Sequence, residues 1–337
     1  MRPVILVFIL VDVMTVPLGF GQGAILTGVG YADPTRILVA PGQITTLFVV
    51  GLSLNLDNPL LATTLPLPTS LGGISVTVSQ AGHTFLAPLL GVQQLTLCNV
   101  GTGGTAPPGD CVLGAITLQV PWELSSGPNG NISSSAEVVV SQDGNASNMF
   151  TVLVAPDNLH VLTSCDVFPS FQPTPALQPI TSPVCPPVVT HASGDLVSAD
   201  DPAQPGEEIV IWALGLGPTS PTPVDGQPSP IVPATLSSPL YVQFDFRVNA
   251  AGSRPYVDPL SPTSSPTPTF AGLTPGQVGL YQINMRIPDV IPAVAPCGTT
   301  CSPVKCTIYN TVQSNMTIDI GANATFDGAA ICVQPSQ

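Results

Sequence analysis

Tyr281-Gln282-Ile283-Asn284-Met285-Arg286-Ile287 puts apolar side chains at every odd position and polar ones at every even position. Successive side chains of a strand point to opposite faces, so this run reads as a β-strand. One face is buried, and Gln282, Asn284 and Arg286 turn outward. The same period of two appears in Ile74-Ser75-Val76-Thr77-Val78 and in Ile116-Thr117-Leu118-Gln119-Val120. Asp143-Gly144, set between Val138-Val139-Val140 and Phe150-Thr151-Val152, reads as a hairpin turn, because Gly tolerates the positive φ that such turns require.

Composition carries this reading to the whole chain. With 40 Pro and 31 Gly in 337 residues, long helices are excluded, since Pro removes a donor and clashes inside a helix while Gly loses backbone entropy. Short strands joined by turns accommodate both. The class is all-β, and the length suffices for two domains of ordinary size.

The chain also repeats itself. Pro41-Gly42 followed by Gly51-Leu52 recurs 164 residues later as Pro205-Gly206 followed by Gly215-Leu216. Gln119-Val120-Pro121 recurs 167 residues later as Arg286-Ile287-Pro288, and Ser147-Asn148-Met149 at the same offset of 167 as Ser314-Asn315-Met316. Three blocks in one order predict two tandem immunoglobulin-like β-sandwich domains, over residues 24–160 and 190–322. Residues 161–189 are dense in Pro (Pro169, Pro173, Pro175, Pro179, Pro183, Pro186, Pro187) and predict a semi-rigid linker. Pro218 to Pro233 and Pro259 to Pro268 read as long loops on the rim of the second copy. Residues 323–337 read as a carboxy-terminal tail, with an added strand as an option.

Residues 1–23 read as a signal peptide: Met1-Arg2 is the positive start, Val4 to Val16 the apolar stretch, and Pro17-Leu18-Gly19-Phe20-Gly21 ends in small residues suited to cleavage. That stretch is shorter than the roughly 20 apolar residues a bilayer span needs, and no later run reads as a spanning helix. The expected location is secreted or cell surface. Eight cysteines agree with export, where an even count favours disulfide bonds. By proximity the expected bridges are Cys98–Cys111 and Cys165–Cys185, with Cys297, Cys301, Cys306 and Cys332 pairing among themselves as Cys306–Cys332 and Cys297–Cys301. A zinc site at Cys297, Cys301 and Cys306 lacks both the usual C-x2-C spacing and a nearby His.

Net charge is −14 and charged residues are 8% of the chain. Apart from Arg2, the basic residues Arg36, Arg247, Arg254, Arg286 and Lys305 are too scattered to neutralise a phosphate backbone, which excludes nucleic acid as a partner. No G-x-S-x-G elbow is present, and Gly51-Leu52-Ser53-Leu54-Asn55 lacks its final Gly. His83, His160 and His191 are widely separated, outside any H-E-x-x-H pattern, and read as loop or edge residues. No catalytic residue and no cofactor site are assigned. Asp195, Asp200, Asp201, Glu207 and Glu208 form the densest acidic cluster. Carboxylates bind Ca²⁺, but the spacing fits no EF-hand, and a solvated loop is the preferred reading. Trp122 and Trp212 read as core anchors rather than sugar platforms. Asn131, Asn145, Asn315 and Asn323 begin N-x-Ser/Thr sequons, which in a chain of bacterial type mark exposed turns whether or not they carry glycans.

Several blocks together resemble the uncharacterised carboxy-terminal domain family of Solibacter-type acidobacterial secreted proteins. They are Ala40-Pro41-Gly42, Leu71-Gly72-Gly73-Ile74-Ser75-Val76-Thr77-Val78, Gln119-Val120-Pro121-Trp122-Glu123, Ala146-Ser147-Asn148, Gln204-Pro205-Gly206-Glu207, Gly215-Leu216-Gly217-Pro218 and Leu273 to Asn284. The resemblance implies immunoglobulin-like architecture, export and no established activity. The expected role is therefore a non-catalytic extracellular module for adhesion, scaffolding or ligand binding, its partner an extracellular protein or glycan. A secreted hydrolase or carbohydrate-active protein and a Ca²⁺-dependent surface binder are the alternatives.

Overall fold

The computed structural model describes residues 24–334, except 31–37, 55, 97–111, 128–133, 165, 167–186, 199, 246–266, 291–298, 302–305, 309–311 and 321–325. The described residues form strands and turns with no helix, so the chain is all-β. None therefore forms a helix long and apolar enough to cross a membrane. The signal segment, most of the Pro-rich stretch, Asn131, Asn323 and five of the cysteines (Cys98, Cys111, Cys165, Cys185, Cys297) lie outside the described residues.

The first half contains β1 (Ile25–Gly30), β2 (Leu38–Val39), β3 (Ile44–Val50), β4 (Leu60–Leu61), β5 (Ser70–Leu71), β6 (Ile74–Gln80), β7 (His83–Leu86), β8 (Leu89–Thr96), β9 (Val112–Gln119), β10 (Ser134–Gln142), β11 (Asn145–Ala146) and β12 (Phe150–Val154). Two sheets result, in the orders β1-β3-β9-β8-β4 and β2-β12-β10-β6-β5, with β7 on β6 and β11 on β10. Pairing is antiparallel except between β12 and β2. Leu47 and Val49 of β3 and Ile116 and Leu118 of β9 share one apolar cluster with Val76 of β6, Val138 and Val140 of β10 and Val152 of β12. The two sheets thus bury their inner faces in a common core.

The second half contains β13 (His160–Val161), β14 (Val189–His191), β15 (Glu208–Leu214), β16 (Thr219–Ser220), β17 (Thr235–Leu236), β18 (Leu240–Asp245), β19 (Phe270–Leu273), β20 (Tyr281–Arg286), β21 (Thr299–Cys301), β22 (Cys306–Ile308), β23 (Val312–Ile320) and β24 (Phe326–Val333). One sheet runs β13-β15-β20-β19-β17-β16 with β14 on β15, another runs β18-β23-β24, and β21 pairs β22. Ile209, Ile211, Tyr281, Ile283 and Met285 of the first of these sheets share a buried cluster with Val242, Ile318 and Ile331 of the second. β20 follows the alternation of its sequence: Tyr281, Ile283 and Met285 are buried, Gln282 and Asn284 are half-buried and Arg286 is exposed.

The Pro-Gly blocks form the same turn twice. Gly42 N donates to Val120 O and Val120 N to Gln43 O; correspondingly, Gly206 N donates to Ile287 O and Ile287 N to Glu207 O. The residue after each Gly closes its own turn: Gln43 Oε1 accepts from Ala40 N at 2.7 Å, and Glu207 Oε2 from Gln204 N at 2.7 Å. Both glycines have positive φ, +73° and +75°, which an L side chain adopts only at a cost. The Ser-Asn-Met block behaves otherwise. Ser147-Asn148-Met149 lies between β11 and β12, whereas Ser314-Asn315-Met316 lies inside β23, so this match does not mark equivalent places. Phe326–Val333, within the stretch read as a tail, pairs along β23.

The expectation of disulfide bonds is corrected. No Sγ–Sγ pair is found among the described residues. Cys301 stands opposite Cys306 across β21 and β22, while Cys332 in β24 stands opposite Gln313. Cys332, the cysteine whose side chain is described, is not a free thiol, and its partner lies beyond the described side chains.

Candidate functional site

Strands β3 and β9 are buried on both faces. Thr45, Thr46, Thr117 and Gln119, polar residues on these strands, are at most 2% exposed. Within the sheet, Thr46 and Thr117 join their hydroxyls at 3.1 Å. At the edge of the sheet the second half reaches Gln119 and Ile44. Ile44 at the start of β3 joins Leu162 and Leu214 in a small buried cluster, with Leu90, Trp212, Val278 and Leu280 against it. An apolar cavity of about 170 Å³ lies along this seam, lined by Ile44, Leu67 and Leu90 from the first half and Leu214, Val278 and Leu280 from the second.

Backbone contacts fix the seam in two places. Asn158 N donates to Gly215 O at 2.7 Å, and Asn158 Nδ2 donates to Leu38 O at 2.8 Å and Gln43 Oε1 at 3.3 Å. The chain approaches so closely there that a Cβ on Gly215 would sit 2.3 Å from Asn158 O. The second place is the loop between β16 and β17. Asp225 Oδ1 accepts from Trp122 N at 2.9 Å, Gly226 N donates to Gln119 Oε1 at 2.7 Å, and Leu67 N donates to Gly226 O at 2.9 Å. Burial is the main reason the Asp225 carboxyl is held up. The Trp122 amide works against the rise and the neighbouring Glu123 charge adds to it, leaving Asp225 lifted from 3.8 to about 6.

Trp122 crosses this seam. Its ring lies over Gly42, where a Cβ would fall 2.1 Å from Cζ2, and it also packs against the apolar cluster of the second half. Trp212 donates from Nε1 to Thr190 Oγ1 at 3.2 Å and adds to the seam cluster. Both indoles serve packing between sheets.

The acidic residues near the start of the second half do not converge on one point. Asp195 Oδ2 accepts from Ser193 Oγ at 2.8 Å, and Glu208 Oε2 accepts from Thr269 Oγ1 at 2.9 Å. Asp200 is exposed. Glu207 and Asp201 instead flank His191, with Nδ1 2.6 Å from Glu207 Oε1 and Nε2 3.5 Å from Asp201 Oδ2. Burial pulls the His191 pKa down, but its hydrogen bonds and the charges of these two carboxylates outweigh it and the net shift is upward. Among the described residues no group of three or more His, Cys, Asp or Glu side chains is arranged to hold a metal ion. His160 pairs with Asp166 at 2.9 Å in the buried region beside the seam, and exposed His83 stacks on Phe85 with centroids 6.4 Å apart.

Sequence reasoning passed over the residues that matter most here. Asp225 and Gly226 lay in a stretch read as a rim loop, and Gln119 was read as an outward polar residue of a strand. The signal available was the pair of Gly-Leu-Gly-Pro and Pro-Trp-Glu blocks, whose glycine and tryptophan meet partners far off in sequence.

No family profile matches the chain, and no curated protein matches it. Among solved structures, one described as BspA_C_mut aligns over 91% of this chain and 98% of its own at 10% identity, with a TM-score of 0.18. A likeness at that score carries no argument about fold or role.

Proposed function

We propose that this chain is a non-catalytic, exported module made of two immunoglobulin-like β-sandwiches braced against each other, which holds an extracellular protein or glycan on its loops. Support for two copies comes from pairing. β3 lies on β9 as β15 lies on β20. β6, β10 and β12 run in the order that β18, β23 and β24 repeat. The parallel contact of β2 with β12 has its counterpart in the Ala203–Val333 bridge. On this correspondence β24 is the equivalent of β12, and the second copy extends through Val333. Family membership rests on the sequence blocks quoted above, and the secreted or surface location on the amino-terminal segment.

The seam is the observation that carries the reading. Loops of the second half plug into the first through backbone bonds and leave Pro230-Ile231-Val232-Pro233 projecting, with Ile231 89% and Val232 76% exposed. Exposed apolar loop tips on a braced frame suit recognition. An array of glycans and purified surface polymers, probed with and without Ca²⁺, tests the proposal. Saturable binding without products is expected. Release of reducing ends or peptide fragments would sink it.

A further inference from the structure

We propose that His191, held as an imidazolium between Glu207 and Asp201, is a proton-operated clasp that fastens residues 201–204 to the edge of β24 in mild acid and slackens them once the proton leaves. The inference does not rest on the binding role. The geometry asks for the proton. His191 Nδ1 lies 2.6 Å from Glu207 Oε1, and Nε2 lies 3.2 Å from the Asp201 carbonyl oxygen. A carbonyl and an ionised carboxylate only accept, and a neutral imidazole carries one N–H, so it serves one of these partners. The imidazolium donates to both. Without the proton, the N–H stays with the closer partner, Glu207. The Nε2 lone pair then faces Asp201 O and, at 3.5 Å, Asp201 Oδ2. Burial of the ring opposes its charge, and the bonds and charges of Glu207 and Asp201 outweigh that penalty.

What the clasp holds is the join between two sheets of the second half. Ala203 N donates to Cys332 O at 3.0 Å and Gln334 N to Ala203 O at 2.8 Å, a parallel contact at the edge of β24. His191 grips the chain on both sides of Ala203. It reaches Asp201 directly, and it reaches Gln204 through Glu207, whose Oε2 accepts from Gln204 N at 2.7 Å. The first half makes the same contact without the proton site. There Ala155 N donates to Val39 O at 2.9 Å, and the residue placed as Glu207 is Gln43, whose Oε1 accepts from Ala40 N. The charged groups on the elements around His191 are Glu207 and Glu208 at the entry to β15, Asp195, Asp200 and Asp201 after β14, and Arg286 and Asp289 beside Gly206. Arg286 and Asp289 pair with each other at 2.9 Å, Glu208 accepts from Thr269 and Asp195 from Ser193, and Asp200 is exposed. Glu207 and Asp201 are therefore the groups that set the titration.

The clasp contributes fully below the ordinary histidine value of 6.5 and is lost as pH rises through the higher folded value. One added hydrogen bond from a charged donor, discounted because the Asp201 side chain is 65% exposed, corresponds to a roughly three- to tenfold change in local opening. Hydrogen exchange at the Ala203 and Gln334 amides of the full-length chain, corrected for the intrinsic rate, reads this between about pH 8.5 and pH 5.5. Both amides should gain protection by that factor on acidification, while the Ala155 amide changes less than about twofold. His191→Gln should abolish the gain. Glu207→Gln, which installs the side chain the first half uses at this turn, should move the midpoint of the gain down by roughly one pH unit. That variant keeps the test decisive if His191→Gln fails to fold. No gain in wild type, an equal gain at Ala155, a gain that persists in His191→Gln, or an unmoved midpoint in Glu207→Gln would each overturn the clasp. Glycan or protein binding at a single pH is a separate measurement, so failure of the clasp and failure of the binding role are distinguishable.

Discussion

Gly215→Ala is the perturbation that most directly tests whether the two halves are docked as described. Gly215 has φ +69°, a conformation that costs an L residue roughly 1–2 kcal/mol. Its new Cβ would fall 2.3 Å from Asn158 O and 3.0 Å from Asn158 C. Both are backbone atoms, so the seam must open by about an ångström to reach ordinary contact near 3.5 Å. That displacement breaks the 2.7 Å bond from Asn158 N to Gly215 O, worth about 0.5–1.5 kcal/mol net. Together these amount to about 2–3 kcal/mol. At roughly 2–4 °C per kcal/mol for a domain of this size class, the melting temperature should drop by about 5–10 °C. Gly144→Ala supplies the control: its φ is +84°, but nothing lies within 4 Å of the added Cβ, so it pays the conformational cost alone. Thermal unfolding by circular dichroism of both variants at one pH makes the comparison. Equal losses in the two would show that the Gly215–Asn158 approach contributes nothing, and the docked arrangement would have to be abandoned.

Other expectations follow from the same contacts. Tyr281→Phe removes a buried hydroxyl that donates to Gly217 O at 2.5 Å and should cost about 1–3 kcal/mol in urea unfolding, because the carbonyl is left unpaired; an unchanged midpoint would contradict that bond. Burial also holds the Tyr281 phenol above its usual range, so ultraviolet titration of the native chain should lack its signal until the chain unfolds. Ile283→Ala empties a fully buried position in the second core and should cost about 2–5 kcal/mol. His191, raised by Glu207 and Asp201, contributes stability that is full below 6.5 and fades as pH rises through its higher folded value; a proton-NMR titration placing it below that value would refute the pairing. EDTA should leave the melting temperature unchanged, and a drop of several degrees would return a structural cation to the acidic loop.

The alternating run Tyr281 to Ile287 was legible in full, because the period of a strand is a local property of the backbone and needs no partner to be read. The Asp143-Gly144 turn was legible for the same reason, and both residues have positive φ, 50° and 84°. The Pro-Gly blocks marked two equivalent turns, each closed by bonds within a few residues and to one neighbouring strand end. The Ser-Asn-Met block misled because three common residues recur by chance where no local constraint fixes them. The disulfide expectation rested on proximity along the chain, and no Sγ–Sγ pair among the described residues bears it out.

By itself the sequence determined an all-β chain with strands of one apolar face, turns where Gly and Asn-like geometry demand them, and a composition unsuited to nucleic acid. It could not show that the outward polar face of β9 is covered. Thr117 and Gln119 alternate with Ile116, Leu118 and Val120, and alternation reports which side chains share a face and says nothing of what lies against it. Only the tertiary structure brought Gly226 to Gln119, Asp225 to Trp122 and Glu123, and Gly215 to Asn158. Each of these contacts joins residues separated by tens to more than a hundred positions. Their geometry depends on how two finished cores meet, and no window of sequence contains both partners.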